Sequence, residues 1–172
     1  MILTVEELKR RTKCSDADDL ITAKLEAIEM VIRAYTNNNF QNRAIRFSGH
    51  SDTFRLYGDT RYFTVGDTIQ ISASGVNDGL YTVTVVQDDR LEVDGNLFAI
   101  DYNLVTKVEY PADVVQCAVD LFNWKQTMGD KVGVKSETLS RHSVTYEDST
   151  ALYMGYPVGI LNGLLLYRKA RC

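Results

Sequence analysis

The feature that most constrains this chain is a change of hydrophobic period in its middle. Upstream, Ile21, Leu25, Ile28, Ile32 and Tyr35 recur at alternating spacings of four and three, one stripe of an α-helix. From about Ile45 to Glu109 the apolar residues come in short β-branched and aromatic runs: Arg46-Phe47, Thr53-Phe54-Arg55-Leu56, Thr68-Ile69-Gln70-Ile71 and Tyr81 to Val86. Turn chemistry separates them at Gly66-Asp67, Gly75, Asn77-Asp78-Gly79, Asp88-Asp89 and Asp94-Gly95-Asn96. This spacing predicts a five- or six-stranded small antiparallel barrel, SH3-like or similar. Past Tyr110-Pro111 the helical period returns, because proline suits the first helical turn and holds its predecessor out of helical geometry. Val114, Val115, Ala118, Leu121, Phe122 and Met128 give a helix from about Ala112 to Met128 its apolar face.

Local signals place the remaining elements. Thr4-Val5-Glu6-Glu7 has capping-box form and predicts a short helix over about 5–12. Ser15-Asp16-Ala17-Asp18 repeats the signal and opens the striped helix, which Asn37-Asn38-Asn39 ends near Thr36. Residues 131–148 read as an extended arm with one or two exposed strands, and Pro157 opens a last helix carrying Ile160, Leu161, Leu164, Leu165 and Tyr167. The fold class expected is α+β: a helical domain built from 1–44 and 110–172, with a barrel inserted at 45–109. The arm's unpaired backbone edge could join a neighbouring subunit's sheet.

Charge narrows the function classes. The 172 residues carry a net charge of −4, and the acidity sits in the middle: 45–110 holds five basic against ten acidic residues. An acidic barrel repels phosphate and is a poor nucleic-acid groove. The compact basic cluster Arg168-Lys169-Arg171 complements the carbonyl end of a terminal helix. No apolar run is long enough to span a bilayer, and the start lacks the basic and apolar regions of a signal peptide, so a soluble protein made in a cytoplasm is expected.

Catalytic and metal signals are weak. Ser48, His50 and Asp52 lie close in sequence, but triad members normally come from separated positions, and G-x-S-x-G is absent. Asp16, Asp18 and Asp19 are explained by a helix start. Three scattered cysteines, Cys14, Cys117 and Cys172, form neither a disulfide framework nor a CxxC motif, and His50 and His142 have no partner at metal-ligand spacing. Tyr110, Phe122 and Trp124 sit at core spacing without interleaved basic residues, unlike a base-stacking platform. No enzyme activity, cofactor or metal is expected.

The two ends of the chain carry a resemblance. Ile28 to Phe40, I-E-M-V-I-R-A-Y-T-N-N-N-F, resembles the second helix and its exit in the head-to-tail connector (adaptor) proteins of tailed bacteriophages. Pro111 to Trp124 is similar to that family's third helix, Val134 to Tyr146 to its G-[IV]-x-S-E-x-x-x-x-x-S-x-x-Y arm, and Tyr156-Pro157 through Lys169 to its closing helix. The likeness covers about 1–44 and 110–172, in the family's order; the barrel departs from the minimal pattern and looks like a module added in some members.

The resemblance implies a structural virion protein at the capsid-tail junction, made in the bacterial host. Such subunits form a homo-oligomeric ring, twelve-fold in the family, below the portal protein; the ring extends the DNA channel and offers a platform to the next neck or tail protein. It implies passage of DNA without sequence-specific binding, and no membrane. On this reading Leu161, Leu164, Tyr167, Arg168 and Lys169 form the portal or ring interface, and Val134, Lys135, Ser136, Arg141 and Tyr146 serve subunit pairing or channel lining. The barrel is expected on the outside of the ring or its tail-facing surface. The competing class is a nucleic-acid- or protein-binding small-barrel module of phage origin.

Overall fold

The computed structural model describes residues 1–128, 136–139, 142–145 and 152–170. The chain is α+β and divides into two compact units: residues 2–38 with 111–172, and residues 39–110 together with Met1.

In the first unit, α1 spans Val5–Arg11, capped by Thr4, whose hydroxyl accepts the Glu7 N–H at 3.2 Å. The reciprocal half of the capping box is replaced: the Glu7 carboxylate accepts from the Arg11 guanidinium one turn on. Helix α2 spans Asp18–Thr36 and begins later than Ser15-Asp16 suggest, with Ala17 at its N-cap and no side-chain cap. The physical reason lies in Asp16, whose carboxylate accepts from Lys24 Nζ at 2.7 Å and Gln126 Nε2 at 2.6 Å instead of capping.

The α2 stripe is buried as its spacing predicts: Ile21, Leu25, Ile28 and Ile32 are wholly inaccessible, and Tyr35 is half-buried. Its partner is α3, Ala112–Met128, whose Val114, Ala118, Leu121 and Phe122 are also fully buried. Each such valine, leucine, isoleucine or phenylalanine side chain contributes roughly 1.5–3 kcal/mol by leaving water. The buried Glu29 carboxylate is satisfied in part by the Ile2 N–H at 2.9 Å.

The expected last helix is interrupted. After a two-residue hairpin of β9 (Leu152–Tyr153) and β10 (Tyr156–Pro157), helix α4 covers only Val158–Leu161, followed by a 3-10 helix over Asn162–Tyr167. Gly159, Asn162 and Gly163 have poor α-helix propensity, and the tighter helix is the form short runs adopt. The expected arm contains an antiparallel pair, β7 (Ser136–Leu139) and β8 (His142–Thr145); the rest of that arm lies outside the described residues.

The second unit is a closed six-stranded antiparallel barrel: β1 (Gln41–Asp52), β2 (Arg55–Tyr57), β3 (Thr68–Ser72), β4 (Gly79–Val86), β5 (Arg90–Val93) and β6 (Ile100–Val108), in the order β1-β2-β5-β4-β3-β6, closed by β6 against β1. It starts before Ile45, because the polar Gln41-Asn42 pair with Lys107 and Val108. Thr53-Phe54 form the β1–β2 turn rather than strand, with Thr53 at φ +41°. Leu56, Ile69, Ile71, Leu91 and Val105 fill the interior, with Phe47 edge-on to Phe63 at 5.6 Å. Gly49 permits the closest approach in the barrel: a Cβ there would lie 1.7 Å from the Tyr57 carbonyl oxygen.

Candidate functional site

The C-terminal segment 158–170 is anchored on the helical unit by the exit of α2. Asn37 takes a left-handed conformation (φ +48°) and its Nδ2 donates to the carbonyls of Ala170 at 3.0 Å and Lys169 at 3.4 Å. Asn38 Nδ2 donates to the Tyr167 carbonyl at 3.1 Å, and the Lys169 N–H donates to the Thr36 carbonyl at 2.8 Å. Tyr35 adds a hydroxyl bond to Asn162 Oδ1 at 3.0 Å, and its ring meets Tyr153 edge-on at 5.3 Å. The Arg168 guanidinium sits 5.9 Å from the Tyr35 ring centroid, in cation–π range. Tyr167 donates its hydroxyl to the Asp113 carboxylate, 2.7 and 2.8 Å from its two oxygens, and this bond pushes the phenol above its usual range. A cavity of about 310 Å³ remains between Tyr35, Asn37, Tyr153, Arg168 and Lys169.

Of the five residues expected at the portal or ring interface, the structure turns two inward. Leu161 and Leu164 are 0% and 1% exposed within the unit itself. Tyr167 is half-buried, while Arg168 and Lys169 are exposed. The apolar residues offered to a partner are their neighbours Leu165, 50% exposed, and Leu166, 91% exposed. Among the arm residues, Ser136 begins β7 opposite Thr145; Val134, Lys135, Arg141 and Tyr146 lie outside the described residues.

The weak catalytic and metal signals disperse in three dimensions. His50 stacks on Tyr57 (4.4 Å, 6° between planes), the Asp52 carboxylate accepts from the Thr53 hydroxyl, and no hydrogen bond links Ser48, His50 and Asp52. Asp16 is held below the usual carboxylate range by its bonds to Lys24 and Gln126, Asp18 pairs with Lys9, and Asp19 accepts the Leu20 N–H. Among the described residues no group of three or more His, Cys, Asp or Glu side chains is placed to hold a metal ion, and no helix is long and apolar enough to cross a membrane. Trp124 packs against Tyr156 at 6.2 Å, and Tyr110 against Phe40 at 5.0 Å. Cys117 is buried, and desolvation pushes its thiol up to about 12.

Sequence reasoning missed a second surface. At the barrel end holding the β1–β2 turn, the β3–β4 turn and the β5–β6 loop, Asn77 is buried and its Nδ2 reaches Phe98 O (2.9 Å), Ser51 Oγ (3.1 Å) and Asn103 Oδ1 (3.1 Å). Its Oδ1 accepts the Phe98 N–H at 2.8 Å, and Ser51 donates to the Phe98 carbonyl at 2.7 Å. This network fixes the loop backbone while leaving the Phe98 side chain 67% exposed, beside Val76 at 59%. The available signal was Phe98 itself, an aromatic in a turn-rich stretch. Comparison with protein-family models finds no matching model, and comparison with curated proteins finds no match.

Proposed function

We propose that this chain is a structural subunit of a bacteriophage head-tail connector, forming a ring that joins the capsid portal to the neck or tail and extends the DNA channel. The reading assigns it no catalytic role. Its place is the capsid-tail junction of the virion, and its partners are further copies of itself, the portal protein and the next neck or tail protein. The observation that carries the reading is the assembly of one helical unit from both ends of the chain, with the intervening residues forming a separate barrel unit. That is the arrangement expected from the resemblance of 1–44 and 110–172 to connector proteins. The anchored C-terminal segment supports it further, because Leu165, Leu166, Arg168 and Lys169 give a rigid apolar and basic surface suited to a protein partner. Closure of a ring requires two different faces on each subunit.

The test is sedimentation of the chain with the portal oligomer of the phage that encodes it. Co-sedimentation in a fixed ratio is expected; a chain that stays slow at every concentration contradicts the reading.

A further inference from the structure

The barrel end described above and the C-terminal segment are complementary in both charge and apolar character. At the barrel end the exposed side chains are Phe98, Val76 and Tyr102, the last 52% exposed. Around them stand the exposed carboxylates Asp52, Asp78 and Asp101. Register places these residues at one end: Ser51 faces Ile100 and Gly49 faces Asn103 across β1–β6, and Ile71 faces Gly79 across β3–β4. The nearby cation, Arg55, is engaged by Glu92 at 3.4 Å and by Asp52 at 4.0 Å. Asp78 is held below the usual carboxylate range by the Ser74 N–H and hydroxyl, so it keeps its charge. The C-terminal segment shows the opposite pattern: Leu166 almost wholly exposed, flanked by Leu165 and followed by the cations Arg168 and Lys169.

We propose that these two surfaces bind each other between copies of this chain, the barrel end of one subunit receiving the C-terminal segment of the next. Leu166 packs against Phe98 and Val76, while Arg168 and Lys169 face Asp78 and Asp101. The contact is heterologous, so it propagates from copy to copy and closes into a ring if the rotation allows. It rests on the connector reading for its biological setting, and it moves the barrel from the outside of the ring into the subunit interface. Both surfaces are already ordered, one by the Asn77 network and the other by Asn37 and Asn38, so little ordering entropy opposes binding.

The experiment is sedimentation velocity of the full chain from about 1 to about 100 µM, at about 0.05 M and about 0.5 M salt, which differ in screening length. Two variants are compared: Asp101→Lys, and Arg168→Glu combined with Lys169→Glu. Circular dichroism checks that each is folded. Concentration-dependent association that weakens with salt is expected for the unaltered chain, with about tenfold or greater loss in each variant alone. Mixing the two variants restores association, because the unaltered barrel end of one meets the unaltered segment of the other, while the two altered surfaces are again opposite in charge. A chain that stays monomeric, association that neither variant changes, or a mixture that does not recover each overturns the proposal. Portal binding by chains that fail to self-associate would overturn this contact while leaving the connector reading standing.

Discussion

Asn37 ends α2 in the left-handed region and, with the same residue's side chain, donates to the Ala170 carbonyl at 3.0 Å. One asparagine therefore stops a helix and fastens a segment far along the chain. The two roles are separable. Asn37→Gly keeps the backbone conformation and loses only the side-chain bonds, whereas Asn37→Ala also loses the short polar side chain that lets asparagine tolerate the left-handed region, where an ordinary L-residue costs about 1–2 kcal/mol. Urea denaturation is expected to rank stability as unaltered, then Gly, then Ala. Faster amide exchange at Lys169 is expected in both variants, since its N–H bond to Thr36 depends on the segment staying seated.

Leu164 and Leu166 sit two positions apart with opposite surroundings, 1% and 91% exposed. Leu164→Ala is expected to destabilise the chain by about 2–4 kcal/mol through lost burial and a residual cavity. Leu166→Ala is expected to change stability by less than about 0.5 kcal/mol. Thermal unfolding of the two variants side by side checks this orientation.

Asn77 saturates its side-chain amide inside the barrel end, so removing it leaves the Phe98 N–H without its acceptor and Ser51 and Asn103 without a donor. Asn77→Ala is expected to cost about 2–4 kcal/mol, the range for a buried polar group left unsatisfied together with its neighbours. Chemical denaturation monitored by near-ultraviolet circular dichroism reads it out.

Cys117 gives a pH signature. Its thiol is pushed up to about 12 by desolvation in the folded chain, against about 8.5 in an unfolded one. Between these values the unfolded state releases the proton first and binds fewer protons, so this thiol's contribution to stability is complete below about 8.5 and declines as pH rises toward 12. Cys117→Ala is expected to flatten the fall in stability between about pH 9 and 11. An identical slope in both chains contradicts the assignment.

Much of the architecture was legible because it rests on local periodicity. The α2 stripe from Ile21 to Ile32 and the α3 face from Val114 to Phe122 follow a single period, and both are buried. Of the two strands that escaped, β5 alternates cleanly but over only four residues, and β6 hides its pattern: Asn103 and Thr106 are polar yet buried, so alternation of polarity does not mark its inward face. The last helix misled for a related reason. Leu161 and Leu164 fit a helical stripe, but glycines and Asn162 shorten the α-helix, and those leucines fill the unit's own core instead of facing a partner. The anchoring by Asn37 and Asn38 was not legible. Their acceptors at Tyr167 to Ala170 lie some 130 residues away, at separations |i−j| of 129 to 133, and only folding brings them together.

The proposed function places this chain in a ring on the portal. The most direct measurement is electron microscopy of the portal-bound fraction from the sedimentation experiment. A closed ring of this chain, stacked coaxially beneath the portal with an open central channel, is the expected result. Copies bound singly, off the axis or without a channel would contradict the account.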